Sequence, residues 1–253
     1  MKIHNKPFFE RLLKEAWEHD FSGWDWSYLD GRAVESPLSW DYLKVVFDQS
    51  RKVQSLLDIG TGGGEFLATL QPFPSRVFAT ESYPPNFEVA RKALEPLGVK
   101  VFGVREEDPL PFEENSLDLV INRHASYSAA EVNRVLKPGC YFITQQVGGR
   151  NNLRFNEILQ EKVEFIYSYW TLDYAVNELA QAGFEIIRAV EDFPEFAFYD
   201  IGAVVFHLKI ISWQVESFTV EKYYDKLALI HNMIQENGKF VVNSHRFLIE
   251  ARK

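Results

Sequence analysis

Hydrophobic and polar positions follow two different periods along this chain. In residues 8–19, apolar side chains recur at the three- and four-residue spacing of an amphipathic helix. From residue 53 to residue 147, short apolar runs of strand length alternate with helix-length segments of mixed polarity. That alternation is typical of a parallel sheet with helices on both faces, so we expect an α/β core.

The pattern continues on both sides of this core. After a loop at 20–36, the pair Ser36-Pro37 is a cap and first-turn signal for a helix to about residue 49. Downstream, the spacing of apolar residues predicts a helix, a sixth strand and a last strand over Thr171–Gly183, Phe184–Val190 and Lys239–Ala251.

The stretch 193–238 is longer than a connection between the last two strands requires. Within it, Ile201–Trp213 is apolar almost all round, which predicts a buried helix, and Tyr223–Gln235 predicts another. We expect these helices and the loop at 20–36 to form a small helical cap over the carboxyl ends of the strands, where ligands bind in open α/β sheets. Alternatively, the cap only extends the core or forms a dimer face.

The length of 253 residues suits one well-buried core with an accessory cap. We therefore expect a single domain over residues 1–253. Residues 1–50 would be an N-terminal helical or lid segment, and 193–238 a helical insertion that completes the cap.

The most informative motif is DIGTGGG at residues 58–64, directly after the apolar run at 53–57. Glycine at every second position lets the chain turn with positive φ and lets a ligand approach the backbone. Helix-forming residues follow, as in α/β proteins that bind nucleotide-like cofactors. The dinucleotide pattern GxGxxG fails, because Glu65 and Leu67 stand where its last glycine would be.

A second strand, Arg76–Thr80, ends at Glu81. A carboxylate about 20 residues past such a loop can accept both hydroxyl groups of an adenosine ribose. The alternative is that Glu81 is only a polar strand end.

Two later segments complete the pattern. Leu110-Pro111-Phe112 precedes a fourth strand that ends at Asn122, and residues 131–139 read EVNRVLKPG. In this order, the four motifs resemble the class I S-adenosylmethionine-dependent methyltransferases, in particular the methyltransferase type 11-like group with its LPF segment and ExxRVLKPGG turn. Cys140 stands where that group has a second glycine, and we expect it to be a packing variant.

The resemblance implies a Rossmann-like, seven-stranded, mostly parallel sheet of strand order 3-2-1-4-5-7-6, with the last strand antiparallel. It also implies S-adenosylmethionine as the cofactor. The cofactor contacts that it implies are Asp58, Gly60, Thr61, Gly62, Gly64, Glu81, Ser82, Glu106, Glu107 and Asn122.

The resemblance also implies a role for each part of this set. The glycines and Thr61 would cradle the methionine part, and Asp58 would order the loop and the ammonium group. Glu81 would take the ribose. Glu106 would lie near the adenine amino group, and the backbone of Glu107 would face the ring. The fourth strand would end near the transferring methyl group.

Methyl transfer from a sulfonium depends mainly on the alignment of the nucleophile. His124, just after the fourth strand, is the candidate general base if the nucleophile must lose a proton; alternatively it only shapes the pocket. For the substrate side we predict an aromatic wall and an anion-binding arginine, with core packing and structural ion pairs as alternatives. The candidates are Trp24, Trp26, Tyr28, Arg32, Arg123 and Arg150.

Composition narrows the partners. The net charge is −9 without a basic run, so nucleic acid is not an expected partner. A single cysteine argues against a disulfide framework and a multi-thiolate zinc site, and we expect no metal. No apolar run reaches the roughly 20 residues of a membrane helix. We expect a cytoplasmic monomer or homodimer.

These observations predict a methyltransferase that acts on a small-molecule acceptor. Three alternatives stay open: a nicotinamide-dependent oxidoreductase on a similar fold, an RNA methyltransferase, and a non-catalytic cofactor-binding or interaction module.

Overall fold

The computed structural model describes residues 2–21, 25–105, 107–163 and 165–253. It divides into two compact units. The accessory unit consists of Met1–Leu38, Gly148–Tyr169 and Asp192–His245. The sheet unit consists of Ser39–Val147, Trp170–Glu191 and Arg246–Lys253.

Ten strands and nine α-helices are present in the described residues. The strands are β1 (Ala33–Glu35), β2 (Ser55–Ile59), β3 (Arg76–Glu81), β4 (Lys100–Gly103), β5 (Leu117–Arg123), β6 (Leu136–Val147), β7 (Glu185–Asp192), β8 (Glu195–Phe198), β9 (Phe240–Asn243) and β10 (Arg246–Arg252). The helices are α1 (Lys6–Glu18), α2 (Tyr42–Ser50), α3 (Glu65–Ala68), α4 (Pro84–Leu94), α5 (Ala129–Val135), α6 (Leu153–Leu159), α7 (Leu172–Gln181), α8 (Ile201–Ile210) and α9 (Tyr224–Asn237).

The sheet unit contains a seven-stranded sheet of order β4-β3-β2-β5-β6-β10-β7. Counted among the strands of this sheet alone, the order is 3-2-1-4-5-7-6, which confirms the prediction. Strand β2 pairs in parallel with β3 and β5, and β10 pairs antiparallel with β6. The chain order reverses between β2 and β5, which is where open α/β sheets bind ligands.

Both faces of the central strands are covered. Every residue of β2 is buried, as expected for a parallel strand between helical layers. Leu57 and Phe142 pack in one buried cluster with Val132 of α5 and Leu179 of α7. This burial holds the carboxyl ends of β2 and β5 in a fixed position beside the glycine loop.

The accessory unit contains a second sheet, which the sequence pattern did not predict. Its three antiparallel strands have the order β1-β8-β9 and lie with α1, α6, α8 and α9 in the same unit. The segment 193–238, expected as a helical insertion, therefore also contains a strand, β8, at Glu195–Phe198. The cause is pairing between distant segments, with Val34 opposite Ala197 and Phe196 opposite Val242.

The predicted last strand over Lys239–Ala251 is two strands in different sheets. It breaks at Ser244 and His245, which are buried and hydrogen-bonded by their backbone N–H groups to Pro194 O (2.9 Å) and Asn151 Oδ1 (3.1 Å). The apolar alternation also changes phase there, because Phe240 and Val242 are at even positions and the buried residues of β10 resume at Phe247.

Helix α2 begins at Tyr42 and not at the predicted Ser36-Pro37. The Asp41 side chain accepts a hydrogen bond from Lys44 N at 3.0 Å and so caps this helix. The Ser36 backbone N–H instead donates to Glu195 O at 2.8 Å, which extends the pairing of β1 with β8. Helix α8 is buried from Ile201 to Leu208, as predicted.

No helix within the described ranges is both long enough and apolar enough to cross a membrane.

Candidate active site

The glycine loop after β2 needs its glycines for two separate reasons. Gly60, Gly62 and Gly64 have φ values of 70°, 62° and 91°, in the left-handed region that side chains disfavour. Space is also short, because a Cβ atom on Gly60 would overlap the Cβ of Ala125, and one on Gly64 would overlap the side chain of Leu94. The loop is therefore a tight backbone turn against the ends of β5 and α4.

Glu81 at the end of β3 holds this loop in place. Its Oε2 accepts a hydrogen bond from the Gly62 N–H at 2.7 Å, and its Oε1 accepts one from the Tyr83 N–H at 2.8 Å. The side chain is buried. A carboxylate has about four acceptor sites, so each oxygen keeps a lone pair for a ligand hydroxyl.

Asp58, at the other end of the loop, is also buried. Burial raises its pKa to about 7, and the nearby negative charge of Glu81 adds to this rise, while Arg123 opposes it. Thr61 also lowers the pKa, although its buried Oγ1 forms no well-shaped hydrogen bond. A cationic ligand group beside Asp58 would stabilise the ionised carboxylate.

Asn122 lies one residue before the end of β5, and its buried side chain is hydrogen-bonded inside the sheet. Its Nδ2 donates to Ile59 O at 3.0 Å, and its Oδ1 accepts from Thr144 Oγ1 and Gln146 Nε2. Tyr42 Oη donates to its backbone carbonyl at 3.0 Å. The side chain thus fastens β5 to β2 and β6, and the predicted cofactor contact would have to come from its backbone.

The adenine end of the predicted site is less defined. Ser82 and Glu107 are exposed, and Glu106 lies outside the described residues. Arg105 donates two hydrogen bonds of 3.0 Å to the carboxylate of Asp108, which closes the turn after β4. The contacts assigned to Glu106 and Glu107 remain predictions.

The segment after β5 lies against the glycine loop through Ala125. The residue before it, His124, has a positive φ of 58°, and its Nε2 lies 3.0 Å from Gln145 Nε2. Gln145 Oε1 in turn accepts a hydrogen bond from the Trp40 indole N–H at 2.8 Å. The guanidinium of Arg123 lies over the Phe66 ring, 5.2 Å from its centroid.

Trp40 and Gln145 were not among the predicted site residues. The available signal was the polar pair Gln145-Gln146 inside the apolar strand β6, since buried amides in a strand must find partners. Which partners they find depends on the neighbouring strand and on α2, so the sequence alone did not connect them to His124.

A comparison with protein families indicates which kind of domain contains this loop. The methyltransferase domain family matches residues 57–144, from the centre of β2 to the centre of β6. Residues 57–144 are thus similar to a methyltransferase domain. The matched range includes the loop, Glu81 and the segment 122–125. No curated protein sequence matches the chain.

Solved structures share the methyltransferase fold at low sequence identity. A presumed methyltransferase of Bacillus halodurans has a TM-score of 0.61 and 21% identity, over 84% of this chain and 98% of that chain. A protein of unknown function from Deinococcus radiodurans has a TM-score of 0.60 and 13% identity, over 98% and 99%. The 4+2 cyclase SpnF has a TM-score of 0.52 and 15% identity, over 83% and 79%.

The methyltransferase class implies S-adenosylmethionine, and the residues present fit it. The loop turns at three glycines with positive φ, Thr61 Oγ1 is a buried hydroxyl without a hydrogen bond, and Asp58 is a buried carboxyl near a second carboxylate. Asp58 suits the ammonium group and Glu81 suits the ribose hydroxyls. Within the described residues, no group of three His, Cys, Asp or Glu side chains could hold a metal ion.

Four predicted substrate residues belong to the accessory unit, and three of them pack within it. Trp26 and Tyr28 lie against Phe206 of α8, with ring centroids 6.2 and 4.6 Å apart. Arg32 forms a double hydrogen bond of 2.7 and 2.6 Å with Asp200, the residue that caps α8. These contacts are the ones expected if Trp26 and Tyr28 pack in the core and Arg32 forms a structural ion pair.

The remaining substrate candidates stay predictions. The guanidinium of Arg150 lies over the Phe193 ring, 4.7 Å from its centroid. Arg123 is exposed beside the glycine loop. Trp24 lies outside the described residues.

Proposed function

We propose that this protein transfers a methyl group from S-adenosylmethionine to a small-molecule acceptor. The observation that carries the proposal is a pair of buried carboxyl groups at one glycine loop: Asp58 on β2 directly before the loop, and Glu81 at the end of β3, which binds the loop at Gly62. Asp58 has a pKa of about 7 because it is buried, and Glu81 accepts hydrogen bonds from two backbone N–H groups. A ligand with an ammonium group at one end and a ribose diol at the other would match both.

The chain contributes positioning and electrostatics to this reaction. When bound, S-adenosylmethionine supplies an activated methyl group. Glu81 orders the loop and keeps lone pairs for the ribose, and Asp58 offers an anion for the ammonium group. The segment after β5 lies against Gly60 of the loop through Ala125, and we expect it to face the methyl acceptor.

Charge supports a small-molecule acceptor. A net charge of −9 opposes the approach of a polyphosphate chain, since such binding needs clustered lysine and arginine. The fold alone does not settle the reaction, because a 4+2 cyclase has a related fold. The proposal therefore rests on the loop and its carboxylates.

Calorimetry with S-adenosylhomocysteine and with NAD tests the cofactor. We expect S-adenosylhomocysteine alone to bind. We also expect Gly62→Val to abolish that binding in a folded protein, because a β-branched side chain is unsuited to the left-handed backbone at this point and would stand where the ligand meets the loop. Binding of NAD alone, or undiminished binding by folded Gly62→Val, would contradict the proposal.

A second assay addresses the acceptor. Radioactive methyl groups from S-adenosylmethionine are followed into a small-molecule extract and into total RNA, with Glu81→Ala as the inactive control. We expect label in the small-molecule fraction only. Label in RNA, together with salt-sensitive binding of bulk RNA, would favour the RNA methyltransferase alternative. Cofactor binding without transfer to either fraction would favour a non-catalytic module.

A further inference from the structure

Three side chains form a hydrogen-bonded chain at the carboxyl end of the sheet. Trp40 Nε1–H donates to Gln145 Oε1 at 2.8 Å, and Gln145 Nε2 lies 3.0 Å from His124 Nε2. Trp40 and Gln145 are both buried, whereas His124 is exposed at the end of β5. The buried polar groups of Trp40 and Gln145 thus belong to hydrogen bonds that end at the exposed His124.

The donor and acceptor groups fix the direction of these hydrogen bonds. An indole N–H can only donate, so the oxygen of the Gln145 amide must face Trp40. The NH₂ group then faces His124, whose Nε2 must accept. A neutral imidazole that accepts at Nε2 carries its proton on Nδ1. The reversed amide would place two donors against each other at Trp40 and leave the buried indole N–H unpaired.

The backbone at His124 adds an independent constraint. Its φ of 58° is uncommon for a residue with a side chain, and such strain tends to occur at functional sites. The His124 N–H donates to Gln145 O at 2.8 Å, so Gln145 contacts both the backbone and the ring of His124. The next residue, Ala125, lies against Gly60 of the glycine loop.

We propose that Trp40 and Gln145 are positioning residues that hold His124 as the neutral Nδ1–H tautomer, so that His124 donates a hydrogen bond to the methyl acceptor and does not remove its proton. This inference rests on the proposed function. It assigns the acceptor to molecules whose nucleophile needs no base from His124, such as a carboxylate, a phenolate or a neutral amine, with a lone pair that can accept from Nδ1–H.

The positive charges around His124 also favour the neutral imidazole. Desolvation lowers the pKa of His124 well below its usual value, and the positive charges of Arg246 on β10 and Arg123 on β5 lower it further. Because His124 is exposed as a whole residue, the two charges are the firmer cause, and both disfavour an imidazolium. A neutral ring also avoids repulsion of a sulfonium cation.

Nitrogen NMR of labelled histidine measures the tautomer directly. In the wild type we expect the His124 signals of a proton on Nδ1 and a bare Nε2, with no imidazolium between pH 8 and pH 5.5. His124→Gln identifies these signals by removing them. An Nε2–H tautomer, or an imidazolium at pH 7, would overturn the inference.

Two variants test the positioning residues. Gln145→Glu gives Trp40 and His124 a carboxylate acceptor, so we expect the ring proton to move to Nε2 and the His124 pKa to rise by about one unit or more. Trp40→Phe removes the donor that orients the amide, so we expect a mixture of tautomers. Trp40→Phe also tests the proposal if the buried charge of Gln145→Glu prevents folding. Gln54→Glu, an exposed change on the same sheet unit, should leave the His124 signals unaltered.

Calorimetry with S-adenosylhomocysteine on the same samples separates two kinds of failure. If the wild type binds this ligand but His124 has the other tautomer, the present inference is wrong and the proposed function stands. If the tautomer is as expected but the ligand does not bind, the proposed function fails and the acceptor role of His124 fails with it. Unchanged His124 signals in both folded variants would remove Trp40 and Gln145 as positioning residues.

Discussion

The carboxyl groups of Asp58 and Glu81 differ in the hydrogen bonds that stabilise their charged forms. Glu81 receives two backbone hydrogen bonds of 2.7 and 2.8 Å, which stabilise its charge. Burial raises the pKa of Asp58 to about 7, since its support from Thr61 is weaker and the negative charge of Glu81 lies nearby. The two groups are close enough to interact, which makes the ionised Asp58 costly until a cation arrives.

Replacement of Asp58 by asparagine should separate stability from binding. A folded-state pKa above the ordinary value means that the protonated form stabilises the fold below about pH 4, and that this stability is lost as the pH rises through about 7. At pH 8 we therefore expect Asp58→Asn to be more stable than the wild type by on the order of 4 kcal/mol without ligand. Urea unfolding from pH 5 to pH 8 measures this difference.

The gain should shrink as the pH falls, because the wild-type carboxyl then becomes neutral. The exposed replacement Asp48→Asn is the control and should show no such trend. At pH 8, Asp58→Asn should also bind S-adenosylhomocysteine about 10- to 100-fold more weakly, the range of a lost charge-assisted hydrogen bond. A variant that is less stable at every pH would refute the assignment.

Glu81→Gln tests the second carboxylate with almost no change in shape. One end of the amide would present its NH₂ group to the Gly62 N–H or the Tyr83 N–H, which places two donors face to face. We expect binding of S-adenosylhomocysteine to weaken by about 1.5–3 kcal/mol in calorimetry. Glu88→Gln on exposed α4 is the matched control, and an equal effect there would argue against a specific role for Glu81.

At the scale of elements, the motif ExxR explains why the LPF segment has a fixed course. Arg134 of α5 donates to Phe112 O at 2.7 Å and to Leu110 O at 3.0 Å, and it forms an ion pair with Glu131. Glu131 in turn accepts from Leu110 N at 2.8 Å. One turn of helix thereby holds the loop between β4 and β5 by its backbone, independently of most of its side chains.

Arg134→Ala should destabilise the protein through this loop. The change leaves two carbonyl groups and the Glu131 carboxylate without their donor, so we expect a loss of about 1–3 kcal/mol in the free energy of unfolding. Arg134→Lys should recover only part of it, because a single ammonium cannot reproduce the planar fork. The control Arg91→Ala breaks an exposed ion pair on α4 and should cost less than about 0.5 kcal/mol in the same urea titration.

Sequence patterns predicted the elements unevenly. The helices α1, α7, α8 and α9 were located because each satisfies its own periodicity or cap, for example Thr171, whose side chain accepts from Tyr174 N. The short strands β1, β8 and β9 were missed because three or four residues carry no period of their own. Their pairing depends on distant partners, more than 150 residues away for Ala33 and Phe198 and more than 40 residues away for Phe198 and Phe240.

For the whole molecule, cofactor binding should depend on pH through Asp58. Its carboxyl has a pKa of about 7 before binding and must be ionised to pair with an ammonium group. Below that pH, each unit of acidification should weaken the affinity for S-adenosylhomocysteine by up to about tenfold. The rise in melting temperature caused by saturating ligand should therefore be larger at pH 8 than at pH 5.5.

Asp58→Asn removes this titration, so its melting-temperature shift should be small and nearly constant with pH. A strong pH dependence that survives in this variant would assign the effect to another group. His124 is expected to contribute little, since desolvation and the positive charges of Arg246 and Arg123 lower its pKa well below its usual value.

The family resemblance implied the sheet order, while the sequence by itself determined the glycine loop with Asp58, the strand end at Glu81 and the ExxR turn. Those features are local, because a glycine loop, a strand end and an ExxR turn each act through residues close along the chain. Tertiary structure alone decided that Lys239–Ala251 divides between two sheets, that Arg32 is neutralised by Asp200, and that Trp40 and Gln145 meet at His124. Each of these is a pairing of polar or edge groups that only the folded chain brings within hydrogen-bond distance.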